Sequence, residues 1–181
     1  MTPIDRARNA ALLCCHFGRN FAYYSVFRKS LDLGKEGFWL TVHGNFIDVC
    51  ALEWCKLFGS RSGKYHWSNT LTDPERFRRE MLNAHSIDDA SLESLWNEVK
   101  NYRDDFVAHS EEQETTAIPN MNVPYVLVEF YFGKLQYDFP ALQTNNSLPT
   151  NFDWYYDARL KEAERALLHA HSHVNGREET A

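Results

Sequence analysis

Apolar residues return at steps of three and four along most of this chain, and short polar or glycine-bearing stretches interrupt them. From about Ile4 to Leu33, the residues Leu13, Phe17, Phe21, Tyr24, Phe27 and Leu31 keep that rhythm and predict a long first helix. Gly34 and Gly37 punctuate its end. The segment "FWLTVHGNFIDVCALEWCKLFG" repeats the spacing with Trp39, Val42, Phe46, Val49, Cys50, Glu53, Trp54 and Leu57. Gly59 stands where a C′ glycine would end that helix. The two segments are expected to pair antiparallel.

Ser60 to Thr70 reads as a polar loop. "TDPERFRREMLNA" then offers Asp73 as an N-cap and proline at the first helical position, which predicts a short third helix. A fourth begins near "SIDDASLESLW", where Ser86 and Asp89 resemble a capping box, and continues to about His109. "SEEQETTAIPNMN" is a loop by composition. In "VPYVLVEFYFGKLQYDFP", Val126, Val128, Phe130 and Phe132 suit a strand, whereas Pro124, Leu127, Tyr131 and Leu135 suit a helix. The helix is preferred, because a lone strand in a helical chain has nothing to pair with. "LPTNFDWYYDARLKEAERALLHA" closes the chain with Thr150 and Asp153 as a capping box and a helix to about His169. The tail from about 171 to 181 is expected to be disordered. The expected fold is all-α, a single domain built as a bundle of five to six helices.

Composition narrows the function classes. The AVILMFWYC set is 44% of the 181 residues and aromatics are 14%, ample for a core despite 24% charged residues. A formal net charge of −6 argues against a broad basic surface for duplex nucleic acid, though not against a small phosphate site. No apolar run approaches the roughly 20 residues that span a bilayer. "MTPIDRARNAALLCC" has no sustained apolar core and reads as a helix start, so a cytoplasmic protein is expected. Cys14, Cys15, Cys50 and Cys55 form no C-x-x-C pair and are expected to be buried reduced thiols.

The stretch "LWNEVKNYRDDFVAHSEEQ" carries the candidate chemistry. On a helical wheel with Val99 at zero, Leu92, Leu95, Trp96, Tyr102 and Phe106 fall within roughly 60°, and Arg103 comes out at about +40°, inside that apolar arc. A guanidinium buried there calls for a carboxylate, a carbonyl cluster, a partner subunit or a phosphate, and its alternative is to snorkel along the surface. His109 sits at about −80°, at the expected helix end, where the partial negative charge favours its protonated form. A histidine can exchange a proton with a ribose hydroxyl while an arginine holds the scissile phosphate. The two lie about 120° apart on a straight helix, so a shared site requires a bend or two copies of the helix meeting across a dimer.

"YRDDFVAHS" resembles the R-x(4–6)-H signature of HEPN-domain proteins, and its flank "FVAHS" resembles the abortive-infection type. The resemblance implies a HEPN-like helical bundle that forms a homodimer, with two R…H motifs building one composite cleft. It implies a metal-independent endoribonuclease acting on RNA without a cofactor, of the toxin or phage-defence kind. A nucleotidyltransferase-like antitoxin is an implied partner, and no membrane is. Arg103 would hold the phosphate and His109 would serve as acid or base. Asp104 and Ser110 complete the motif, and Tyr102 and Lys100 are candidates for substrate contact. Some members of that family are inactive interaction or scaffold modules, which is the alternative expectation.

Simpler roles stand beside these. Arg103 can pair with a nearby acid such as Asp48 or Glu53 while His109 caps its helix. His169, His171 and His173 in "HAHSH" have no carboxylate or cysteine at ligand spacing, so a polar tail is expected there and no metal. His43 and Asp48 suit satisfied structural positions as well as a polar site. "KYHWSN", with Lys64, Tyr65, His66 and Trp67, can stack on nucleotides or simply pack its own rings.

Overall fold

A computed structural model describes residues 1–29, 37–104, 117–144 and 148–178, and these build an all-α bundle. Its helices are α1 (Pro3–Lys29), α2 (Gly37–Trp54), α3 (Trp67–Thr70), α4 (Pro74–His85), α5 (Asp89–Tyr102), α6 (Asn122–Asp138) and α7 (Phe152–Glu178). A π turn, Cys55–Gly59, extends α2, and a 3-10 turn, Pro140–Leu142, follows α6. No helix among the described residues is long and apolar enough to cross a membrane. The expected end of α1 near Leu33 and Gly34, with Phe106, His109 and Ser110, lies outside the described residues.

α1 occupies the centre. Ala7, Ala10, Ala11, Cys14, Gly18 and Ala22 are small and buried, so neighbouring helices approach its backbone closely. Gly18 shows the limit: a Cβ there would lie 2.8 Å from the Cζ of Phe152. α2 runs antiparallel to α1, with the Cys50 thiol donating to the Phe17 carbonyl at 3.7 Å and Phe27 meeting Trp39 at 5.7 Å between centroids. α7 runs alongside α1, and the Tyr23 hydroxyl donates to Glu162 at 2.9 Å. All four cysteines are free and buried.

α6 is a helix, and its buried set of Pro124, Leu127, Val128, Tyr131, Phe132 and Leu135 follows the helical period that competed with the strand reading. Packing against α1 and α7 supplies the partner that a single strand would have lacked. Asp73 caps α4 as expected, accepting from the Arg76 N–H at 3.0 Å, with Pro74 at the first position.

Other ends differ from the sequence reading. Ser86 does not begin α5; it ends α4 in the left-handed region at φ 54°, its N–H returning to Asn83 and Leu82. Asp88 caps α5 instead, accepting from the Ser91 N–H at 2.7 Å. Asn151, not Thr150, accepts from the Trp154 N–H at 2.8 Å. Each time the working cap is a neighbouring Asx whose oxygen is placed to reach the free N–H groups, a choice that composition leaves open. Gly59 is no left-handed C′ residue but the last residue of the π turn. The expected loop to Thr70 contains the single turn α3. α7 runs on to Glu178, beyond the expected end near His169 and through most of the tail expected to be disordered.

Where α6 meets α7, two acids face each other. Burial first, then hydrogen bonding to Asp153 and its charge, raise the Glu129 carboxyl from 4.5 to about 7. The Tyr125 hydroxyl also donates to Asp153, at 3.3 Å. Because the folded-state value is raised, the proton on Glu129 contributes stability that is complete below the ordinary value and is lost as pH rises through about 7. Glu129→Gln keeps an N–H for Asp153 and cannot ionise. Its melting temperature should match the parent's near pH 5 and exceed it near pH 8. Parallel melting curves at both pH values would refute the shared proton.

Candidate functional site

The candidate site lies where α5 ends. Val99 and Tyr102 point into the core at 0% and 2% exposure, which fixes the rotation of the last turn. The Tyr102 hydroxyl donates to Asp48 Oδ1 at 2.6 Å, tying α5 to α2. Burial raises the Asp48 carboxyl, and burial with the Asp48 acceptor raises the Tyr102 phenol. Tyr102 is therefore a buried tether, and the sequence-based idea that it touches substrate does not suit its place.

One residue on, the backbone continues with π spacing at residues 103 and 104. Arg103 is half-buried, with its side chain 30% exposed. Its Nε donates to Asp104 Oδ1 at 2.7 Å, and Nη2 donates to the same oxygen. Lys100 Nζ takes the other oxygen, Oδ2, at 2.7 Å. The Lys100 hydrogen bond, joined by that of Arg103, holds the Asp104 carboxyl below the ordinary carboxylate range. Cys55 of the π turn lies beside Arg103; burial disfavours the charge of Arg103, and Asp104 with Cys55 more than compensates. Burial raises the Cys55 thiol, with Arg103 opposing.

Neither simpler partner proposed for Arg103 is the real one. Asp48 is occupied by Tyr102, and Glu53 by Lys56 at 3.0 Å with His16 at 3.8 Å. The guanidinium folds back instead onto the carboxylate beside it in sequence. Two cations on one carboxylate leave the Lys100–Asp104–Arg103 group with a net charge of +1. A half-exposed, permanently charged fork with spare positive charge can receive an anion such as a phosphate.

His43 stacks on Tyr24 with centroids 4.5 Å apart, and burial with Arg28 lowers its pKa. In "KYHWSN", His66 and Trp67 are buried rather than displayed. His66 Nδ1 accepts from the Ser68 N–H at 3.2 Å and caps α3. Burial, aided by Arg61, lowers the His66 pKa to about 4, so its ring is neutral at neutral pH. Lys64 lies 5.4 Å from the Tyr65 ring centroid. No group of three or more His, Cys, Asp or Glu among the described residues could hold a metal ion. No protein-family profile, no curated protein and no solved structure matches the chain.

Proposed function

We propose that this protein is a HEPN-like, metal-independent endoribonuclease of the toxin or phage-defence kind, acting as a homodimer with a composite Arg103…His109 site. The observation that carries the reading is Arg103 itself, a half-buried guanidinium at the end of α5 held ready by Asp104, the polar residue that follows arginine in the signature. A preset fork stabilises charge on a phosphate without reorganising. His109, six residues on, is the acid or base of the proposal. A nucleotidyltransferase-like antitoxin would restrain it.

A second reading rests on the same contacts. With Asp104 bonded to Arg103 and Cys55 beside it, the arginine can serve as a packing element between α5 and the π turn of an inactive interaction module. His109→Ala separates the two. The nuclease reading expects RNA cleavage and growth inhibition to vanish while the circular dichroism spectrum and sedimentation of the dimer persist. Cleavage by His109→Ala at the parental rate, or a chain that sediments as a monomer while cutting RNA, ends that reading.

A further inference from the structure

Between the π turn, α3, α4 and α5 lies a cavity of about 730 Å³, well within the roughly 300–1,000 Å³ of small-ligand sites. Four Trp and Phe rings line it, Trp54, Phe58, Trp67 and Trp96, together with the His66 imidazole. The first three are buried in the core, while Trp96 is half-buried and carries the Lys100 ammonium 5.8 Å from its centroid. The Trp54 indole N–H is buried with no acceptor among the described residues, and Trp54, at 0% exposure, forms the floor of the cavity rather than its open wall.

The charges around the cavity sort themselves. Arg78 pairs with Asp89, and Lys100 pairs with Asp104. That leaves Arg61 as a cation and Glu93 as a carboxylate with no ion-pair partner among the described residues. Glu93, Trp96 and Lys100 stand at i, i+3 and i+7, so they share one face of α5.

We propose that this cavity binds one unstacked guanine together with its phosphate. The base lies on Trp96, where stacking is available to any base. Glu93, a turn away, accepts the two adjacent N–H groups of the guanine edge, a pair that adenine, cytosine and uracil do not offer. The free Arg61 takes the phosphate. The same chemistry is presented by a free guanine nucleotide and by an unpaired guanine in an RNA strand. Binding stands on the cavity alone; that the base belongs to RNA cut beside Arg103, which Asp104 links to Lys100, rests on the nuclease reading.

Isothermal titration of the full chain with guanosine monophosphate, adenosine monophosphate and a short single-stranded RNA bearing one guanine tests the assignment. Guanosine monophosphate should bind at least about tenfold more tightly than its adenosine counterpart. Trp96→Ala should weaken it by about tenfold or more. Glu93→Gln should abolish the guanine preference, and Arg61→Ala, at an exposed position, should weaken both nucleotides in a salt-dependent way. If Trp96→Ala fails to fold, Trp96→Phe should bind with most of the parental affinity. A strand that binds more than about tenfold tighter than the free nucleotide identifies RNA as the source, and equal affinities identify the nucleotide. Equal binding of both nucleotides to the parent, or full affinity in folded Trp96→Ala, overturns the proposal. His109→Ala should bind guanosine monophosphate as the parent does, so loss of the nuclease reading and loss of this one are seen separately.

Discussion

Trp54→Ala is expected to lower the free energy of unfolding by about 3–5 kcal/mol, enough to consume much of a small domain's stability. Trp54 is the largest fully buried side chain among the described residues, at 0% exposure, and stacks on Phe58 with centroids 5.4 Å apart and planes 15° apart. It is the last residue of α2, and Phe58 belongs to the π turn, so the stack holds the widened turn against the bundle. Alanine would remove the ring and leave a void that the packed surroundings fill only in part. Trp54→Phe should cost much less, because it keeps a ring for Phe58 and deletes an indole N–H that has no acceptor among the described residues. Urea unfolding followed by circular dichroism measures both. An alanine penalty below about 1 kcal/mol would mean that the stack contributes little.

Tyr131→Ala is the second large effect, again about 3–5 kcal/mol. Tyr131 is fully buried, and its ring meets Phe58 at 5.8 Å and Phe77 at 5.6 Å. Its hydroxyl donates to the Tyr65 carbonyl at 3.2 Å, so one side chain joins α6 to the π turn, to α4 and to the connection before α3. Tyr131→Phe dissects the effect. It keeps the ring and strands the Tyr65 carbonyl, for an expected loss of about 1–2 kcal/mol. If phenylalanine proves as damaging as alanine, the hydrogen bond outweighs the packing and the account given for this ring is wrong.

The helices were legible because burial imposes a period. α1 is read from Phe17, Phe21 and Tyr24, and all three are buried. α6 followed from the absence of any partner for a strand. Caps were less legible, since Ser86, Asp88 and Asp89 all have suitable oxygens and only the path of the backbone selects Asp88. The π turn left no sequence signal, and it places Cys55 beside Arg103. The aromatic cavity is hidden in the sequence for a different reason. Trp54, Trp67 and Trp96 come from three distant segments and read singly as core residues. The spacing of Glu93, Trp96 and Lys100 on one helix face was the available hint.

The central position of α1 bears on how the molecule is made. Its faces are covered by α2 and also by α6 and α7, whose partners Tyr125 and Phe152 lie more than a hundred residues later. Contacts of such long range slow the search for the native state. A chain still emerging from the ribosome would present the Phe17–Phe21 surface of α1 uncovered until α7 arrives. Fragments that stop before α7 leave that apolar surface open to association with other chains and should aggregate more readily than the full chain.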